Sequence, residues 1–393
     1  MPKNNNHLYN ALYKWISQAG NWAHLSHLTT CVWLVIAVIH TGSVNLTKWV
    51  GYVPCRGIFA QSIQRRIQRW LYNPRINTHR IYKTLIQAAL AGWEEEMIYL
   101  ALDTSLFWDK YCLVRLCVVY RGRALPVVWR VMEHKSASVA FEDYQDMLRS
   151  AVRRLPTGKK VILLADRGFV HTPLMKLLTT ELGWSYRIRV KGNTWIWRGK
   201  SGWCQLQDLH CHRGEAVCLH NVRIHKSQWY GIVHVIVGRN NVNGEFWGII
   251  SDEPTTLHTF AEYALRFDIE ENFLDDQSNG WNIQRSEIRS VVALSRLWFI
   301  LALATLYVTA QGDDVVSSGQ RRRIDTHWFR GNSYFRIGWE WIKAAPLKGW
   351  QVISAVGFLS HRDPDPVIAS AKQDEHRRFR FEFQIQTFVY TPD

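Results

Sequence analysis

Val161-Ile162-Leu163-Leu164-Ala165-Asp166 is a short apolar run that ends in a single carboxylate, and Tyr99-Leu100-Ala101-Leu102-Asp103 has the same pattern. Apolar runs of this length are typical of strands buried on both faces of an α/β sheet. Such sheets bind ligands at the carboxyl ends of their strands. The two aspartates therefore predict a site at one sheet edge. A third carboxylate, Glu270, lies on a predicted helix, and together the three could hold divalent metal.

Composition indicates a folded protein with a polyanionic partner. The chain has 393 residues, of which 47% are hydrophobic, so it can bury a core and disorder is excluded. At roughly 100 to 200 residues per domain, we expect more than one domain. The formal charge of +15 favours nucleic acid over an anionic membrane surface as the partner.

The apolar stretch 25–39 has the composition of a membrane-spanning segment but not the length. It is shorter than the roughly 20 residues that a spanning helix needs, and histidines lie in or beside it. We expect a buried helix of a protein without membrane contact. The N-terminus does not lead directly into an apolar signal segment, which predicts a cytoplasmic protein. Seven cysteines without paired short spacings indicate reduced thiols.

The first part of the chain, residues 1–95, is predicted to be a helical DNA-binding domain. A helix over 61–71 has an apolar face, and its arginines lie off that face. These arginines are Arg65, Arg66 and Arg69. Helix, turn and basic helix in this order suit a DNA-reading arm. The alternative is a solvated basic face on a structural helix.

Residues 96–194 read as the first part of a ribonuclease-H-like catalytic core. The pattern predicts three strands, a helix, a strand, a second helix and a fifth strand. After the Asp103 strand, the predicted strands cover 111–120 and 125–132, and the first helix covers 141–155. The Asp166 strand follows, then a helix over 172–182 and the fifth strand over 184–190. That order places Asp103 and Asp166 on neighbouring strands of an α/β fold.

The fifth predicted strand alternates cations with apolar residues, which predicts one cationic face. The cations are Arg187, Arg189 and Lys191. A cationic row beside a metal site would contact a phosphate backbone. The alternative is ordinary alternation toward solvent.

The rest of the chain is divided by composition. Residues 195–250 are rich in Trp, Val, Ile, His and Gly and predict a β-rich insertion. Residues 251–310 would form the last part of the core with the Glu270 helix, and 311–393 a C-terminal DNA-contacting or dimerisation region. Because Asp166 and Glu270 are distant in sequence, the core must tolerate a large insertion between them.

One face of the predicted Glu270 helix carries a distinct set of side chains. At about 100° per residue, Tyr263, Arg266, Glu270 and Gln277 fall on the same side. Arginine offers bidentate hydrogen bonds to phosphate, and a carboxylate beside it stays ionised. The alternative is an intrahelical ion pair between Arg266 and Glu270, which is common on helix surfaces.

These motifs resemble a known family. Tyr263-x-x-Arg266-x-x-x-Glu270 resembles the signature of bacterial DDE transposases of insertion sequence family four. Leu102-Asp103-Thr104-Ser105 and Ala165-Asp166-Arg167-Gly168-Phe169 look like the two aspartate motifs of that group. The segment from Trp247 to Pro254 is similar to the one whose tryptophan stacks on a flipped base while the transposon end forms a hairpin. The chain departs from the signature at Gln277, where the family has lysine.

The resemblance implies cut-and-paste transposition of the element that encodes the protein. It implies that Asp103, Asp166 and Glu270 hold two Mg²⁺ ions, for which Mn²⁺ can substitute. Tyr263 and Arg266 would orient the phosphate of the flipped strand, and Trp247 would stack on the base. Gln277 would contact DNA without a charge.

The implied partners are double-stranded DNA with terminal inverted repeats, target DNA and a second subunit on DNA, in a bacterial, nucleoid-associated setting. A nucleotide cofactor is not required. Two other functions fit the residues. One is a ribonuclease-H-like nuclease that cuts without strand transfer. The other is a non-catalytic DNA-binding protein derived from a transposase, in which damaged carboxylate positions would be expected.

Overall fold

The structure is a computed structural model that describes residues 7–209, 211–226, 229–240, 243–274, 280–283, 286–327, 331–367 and 384–391. It is a mixed α/β protein with a helical N-terminal region and one 11-stranded sheet. The helices are α1 (His7–Ile16), α2 (Leu25–Thr41), α3 (Leu46–Trp49), α4 (Ala60–Leu71), α5 (Thr78–Leu90), α6 (Gln145–Val152), α7 (Thr172–Lys176), α8 (Leu257–Ala264), α9 (Phe267–Leu274), α10 (Val291–Ser317) and α11 (Tyr334–Lys348). The strands are β1 (Met97–Phe107), β2 (Tyr111–Tyr120), β3 (Arg123–Glu133), β4 (Lys160–Ala165), β5 (Ser185–Val190), β6 (Trp195–Trp197), β7 (Trp203–Gln205), β8 (Glu215–Ile224), β9 (Tyr230–Arg239), β10 (Phe246–Ser251) and β11 (Gln384–Val389).

The sheet runs in the order β3-β2-β1-β4-β5-β10-β9-β8-β6-β7, and β11 pairs with β8. The first three strands form the predicted antiparallel meander, and β4 and β5 run parallel to β1. Strand β10 pairs antiparallel with β5, so the strands of residues 195–250 extend the same sheet. The β-rich character predicted for that segment is confirmed.

Both faces of the sheet are covered near β1, which explains its apolar sequence. Alternate residues of β1 point to opposite faces. Leu100 and Leu102 join the main hydrophobic core. Tyr99 and Ala101 pack in a second cluster with Ile269 of α9. A strand covered on both sides has no solvent face, and hence no polar alternation.

Helix α10 lies at the centre of the molecule. It is long and apolar enough to cross a membrane by length and composition, yet 83% of its apolar window is buried within the protein. Its neighbours are α2, α4, α5, α11 and β3. Helix α2, which contains the stretch 25–39, is itself buried, as predicted. The N-terminal helices therefore share one core with α10.

Helices α10 and α11 approach each other through two glycines. A Cβ atom at Gly312 would lie 1.8 Å from the Tyr334 carbonyl oxygen, and one at Gly338 would lie 1.9 Å from the Val308 carbonyl oxygen. Only residues without a side chain fit such a crossing. Part of the C-terminal region thus belongs to the central core, and its strand β11 pairs in parallel with β8.

Candidate active site

Asp103 and Asp166 lie side by side where β4 ends. The prediction that both aspartates end their strands is wrong for Asp103, because β1 stays paired with β2 and continues to Phe107. The register pairs Leu102 with Ala165 on parallel strands, so each aspartate is the next residue. An Asp103 carboxylate oxygen accepts a hydrogen bond from the Thr104 backbone N–H at 2.8 Å. An Asp166 oxygen accepts one from the Arg167 backbone N–H at 2.7 Å. These bonds fix one oxygen of each carboxylate.

Arg266 joins Asp103 to Glu270. One terminal nitrogen of its guanidinium donates to Asp103 Oδ2 at 2.8 Å, and the other donates to Glu270 Oε1 at 2.5 Å. Helix α9 reaches this position because Ile269 packs on the face of the sheet to which Asp103 belongs. The structure therefore brings residues from β1 and α9 into one cluster.

The prediction of a single helix carrying Tyr263, Arg266 and Glu270 is wrong. Helix α8 ends at Ala264 and α9 begins at Phe267. In the turn between them, the Arg266 N–H donates to the Tyr263 carbonyl at 2.9 Å, a three-residue hydrogen bond that winds the backbone more tightly than an α-helix. The three side chains still meet, because Arg266 Nε donates to the Tyr263 hydroxyl at 3.1 Å.

The cluster carries more negative than positive charge. Burial raises the pKa of the Asp103 carboxyl above its ordinary value, Arg266 and the Thr104 N–H oppose the rise, and the charges of Asp166 and Glu270 add to it. Burial would lower the pKa of the Arg266 guanidinium, but Tyr263 and the three carboxylates raise it overall. Asp166 thus acts on both groups.

The nature of these side chains fits a divalent cation. Carboxylate oxygens are the preferred ligands of Mg²⁺, and mutual repulsion among three of them favours an added positive charge. Arg266 supplies that charge in the present conformation. Among the residues that the structure describes, no group of three or more His, Cys, Asp or Glu is arranged to hold a metal ion. A cation held by all three carboxylates would compete with Arg266 for the oxygens of Asp103 and Glu270.

A cleft of about 370 Å³ opens in front of the two aspartates. Its walls include the segments 137–139 and 167–169, and Lys191 lies at its edge. Lys191 and Arg167 are exposed cations. Lys191 is a predicted DNA contact, whereas Arg167, which directly follows Asp166, has no predicted role. A polyanion entering the cleft would meet both.

The predicted cationic face of β5 is corrected for Arg187, which is 5% exposed. It donates to Glu262 at 2.7 Å and to Glu253 at 2.8 Å. The Tyr99 hydroxyl donates to the second oxygen of Glu262. Because α8 covers this side of β5, the alternation points Arg187 into the protein and not toward DNA. Nothing in the sequence indicated its partner Glu262, which lies directly before the signature that begins at Tyr263.

Arg189 and Trp247 also contact other residues of the protein in this conformation, where they stabilise the fold. Arg189 pairs with Glu245 at 2.5 Å and its guanidinium lies 5.3 Å from the centre of the Trp247 ring. Trp247 is 1% exposed and packs with Phe260 and other aromatic residues of α8 and α9. A base could stack on Trp247 only after the indole had moved outward. Of the three predicted β5 cations, Lys191 alone is exposed.

The remaining predicted DNA contacts divide into exposed and structural residues. Arg65 and Arg69 are exposed on α4. Arg66 donates to the Pro54 carbonyl and, at 2.9 Å, to Thr30 Oγ1, so it ties α4 to α2. Gln277 lies outside the described residues.

Residues 109–307 match the family described as "Transposase DDE domain". The matched region includes Asp166 and Glu270 and begins after Asp103. A cryo-EM structure of a piggyBac transposase synaptic complex with hairpin DNA is similar, with a TM-score of 0.42 and 10% sequence identity, covering 88% of this chain and 79% of that chain. No curated protein matches the chain.

Proposed function

The chain belongs to the transposase DDE-domain family, and we propose that it cuts and rejoins DNA at the ends of its own insertion sequence. The observation that carries this proposal is the cluster of Asp103, Asp166 and Glu270 around Arg266. The strand order β3-β2-β1-β4-β5 supports a ribonuclease-H-like core. In that core the two aspartates lie at neighbouring positions of the parallel pair β1 and β4, Asp103 within β1 and Asp166 directly after β4.

Asp103, Asp166 and Glu270 would hold two Mg²⁺ ions, for which Mn²⁺ can substitute. When bound, such ions activate the attacking oxygen and stabilise the leaving oxygen at a phosphodiester. Water as the attacking group gives cleavage, and a DNA 3′-hydroxyl gives strand transfer. Hairpin formation at the transposon end belongs to the same proposal.

The protein's own side chains position the DNA. Once released from a carboxylate, the Arg266 guanidinium can bind a phosphate with two parallel hydrogen bonds. The Tyr263 hydroxyl holds Arg266 Nε and limits how the guanidinium turns. Lys191 and Arg167, which both line the cleft, would contact the DNA backbone. Arg65 and Arg69 would contact DNA farther away.

The proposed partners are DNA with terminal inverted repeats and target DNA, bound by a dimer in the bacterial cytoplasm. The charge of +15 supports a DNA partner. Sequencing the DNA that flanks the gene would supply the inverted termini for use as substrates.

Replacement of Glu270 by Gln tests the proposal. The variant keeps the size of the side chain but removes its charge, so Mg²⁺-dependent cleavage of the terminal repeats should be abolished while DNA affinity stays close to wild type. Glu181→Gln is the matched control, because Glu181 pairs with Arg149 on the surface. Cleavage by Glu270→Gln at the wild-type rate would contradict the metal-binding role.

A second candidate function, a nuclease that cuts without joining, is favoured by the burial of Trp247. A nuclease has no need of a tryptophan that holds a flipped base. An end-joining assay with pre-cut transposon ends separates the two functions, because only a transposase joins them to target DNA.

A further inference from the structure

Four tryptophans lie together near the far end of the sheet. Trp197 on β6 faces Trp203 on β7 across the strand pair, with ring centroids 5.6 Å apart. Trp229 lies 5.9 Å from Trp197 and 5.8 Å from Trp203. Trp195 lies two residues before Trp197 on β6. We call these four residues the tryptophan platform.

The platform is open to solvent. Trp229 is 52% exposed and Trp195 is 36% exposed, which is unusual for the largest apolar side chain. A groove of about 450 Å³ beside Trp195 is lined by Asn193, Thr194, His225 and Lys226. Exposed apolar surface with a polar rim indicates a binding site.

Cations surround the exposed rings. The Arg223 guanidinium lies 5.2 Å from the centre of the Trp229 ring, and the Lys226 ammonium lies 4.8 Å from that of Trp195. Lys200 is exposed in the loop between β6 and β7. Among the described residues, no ion pair involves Lys200 or Lys226. Aromatic rings between cations suit a ligand with both flat rings and negative charges.

We propose that the tryptophan platform binds unpaired DNA, with bases stacked on Trp229 and Trp195 and phosphates held by Lys226 and Arg223. Stacking on aromatic side chains accepts any base, while the cations follow the backbone. The proposal rests on the proposed function, since a DNA-cutting enzyme creates unpaired strands.

The platform is separate from the catalytic cluster. In the sheet, β6 lies five strand spacings from β4, the strand that Asp166 directly follows. At roughly 4.8 Å per spacing, the two sites are about 24 Å apart along the sheet. A strand held by the platform therefore lies outside the cleft, and Trp247 is not part of the platform.

Fluorescence anisotropy tests the platform on the full chain. The probe is a labelled single strand of about ten nucleotides of mixed sequence, in EDTA so that no cleavage occurs. We expect Trp229→Ala to weaken binding by on the order of ten-fold and Trp229→Phe to weaken it much less. Leu347→Ala is the control, because Leu347 is 89% exposed on α11, and it should leave the affinity unchanged.

Lys226→Gln provides a second variant that removes only an exposed charge. It should weaken single-strand binding and reduce its salt dependence by about one phosphate contact. Wild-type affinity in both Trp229→Ala and Lys226→Gln would overturn the proposal. The proposal would also be overturned if the variants kept wild-type affinity for the single strand but shifted from dimer to monomer in sedimentation. This face would then be a contact between two copies of the chain.

The proposed function and the platform fail in different assays. If the wild-type protein cleaved none of the terminal repeats, the proposed transposase reaction would be contradicted. Affinity for an uncut single strand tests the platform alone.

Discussion

Arg266 in the turn after α8 donates to Asp103 within β1, at 2.8 Å and across 163 positions of sequence. This buried ion pair joins the two halves of the site that the strands 195–250 separate in the chain. Its position also means that one positively charged group already compensates part of the negative charge of the carboxylates before any ligand binds. Metal binding and the Arg266 contact should therefore oppose each other.

Arg266→Met should destabilise the metal-free protein by about 3 to 5 kcal/mol, because removing one partner of a buried pair leaves carboxylates uncompensated. Added Mg²⁺ should restore more stability to the variant than it adds to wild type. Urea unfolding with and without Mg²⁺ measures both effects. Arg149→Met is the matched control, since Arg149 also binds two carboxylates but on the surface, where solvent screens the pair and its loss should change the stability little. Equal Mg²⁺ responses of wild type and Arg266→Met would contradict the competition.

The stability of the metal-free protein should depend on the protonation of Asp103. Because its folded-state pKa is raised, the unfolded chain loses this proton first as the pH rises from about 3.9. Wild type should therefore lose stability relative to Asp103→Asn as the pH rises through the raised pKa. Thermal melting of both proteins in EDTA over a pH series gives the difference. If wild type instead gained stability relative to Asp103→Asn as the pH rises, the effect of Arg266 on the Asp103 pKa would outweigh those of burial and of the Asp166 and Glu270 charges.

Trp247→Ala should reduce the free energy of unfolding by about 3 to 5 kcal/mol, because the indole is fully packed against Phe260, Tyr263 and Phe267. Trp229→Ala, at an exposed tryptophan, should cost much less. Denaturant titration measures both. If Trp247→Ala kept wild-type stability, the indole would not be held in this cluster in solution.

Gly338→Ala should destabilise the fold by about 3 kcal/mol or more, because its methyl group would overlap the Val308 carbonyl unless α11 moved away from α10. Gly357→Ala is the control glycine, since a Cβ there meets nothing within 4 Å. Its stability should change by less than about 1 kcal/mol. Calorimetry compares the two variants, and equal melting temperatures would contradict the close helix crossing.

The sequence predicted the apolar strand segments that lead to Asp103 and Asp166, because a run without polar residues has few alternatives to a doubly buried strand. It also predicted that Glu270 would join them, through a resemblance and not through local geometry. It did not show that β1 would continue past Asp103 to Phe107 as the partner of β2. The sequence did not predict the break between α8 and α9. Its hydrogen bonds between residues i and i+3 leave no hydrophobic pattern of their own in the sequence. The neighbours Tyr263 and Arg266 meet in either geometry.

Other features depend on which element covers which face. Alternation on β5 could not show that α8 would lie over Arg187 and provide Glu262 as its partner. Likewise, the sequence could not show that Trp247 would be buried while Trp229 stays exposed. The pairing of Trp197 with Trp203 follows from the register of β6 and β7, which the composition of this segment does not specify.

Helix α10 contacts the N-terminal helices on one side and α11 on another. A truncated fragment that began at Met97 would leave the apolar surface under α2, α4 and α5 bare. Such a fragment should aggregate during expression, even with every carboxylate present. The N-terminal helices are thus required for solubility, and they cannot be exchanged as an independent module.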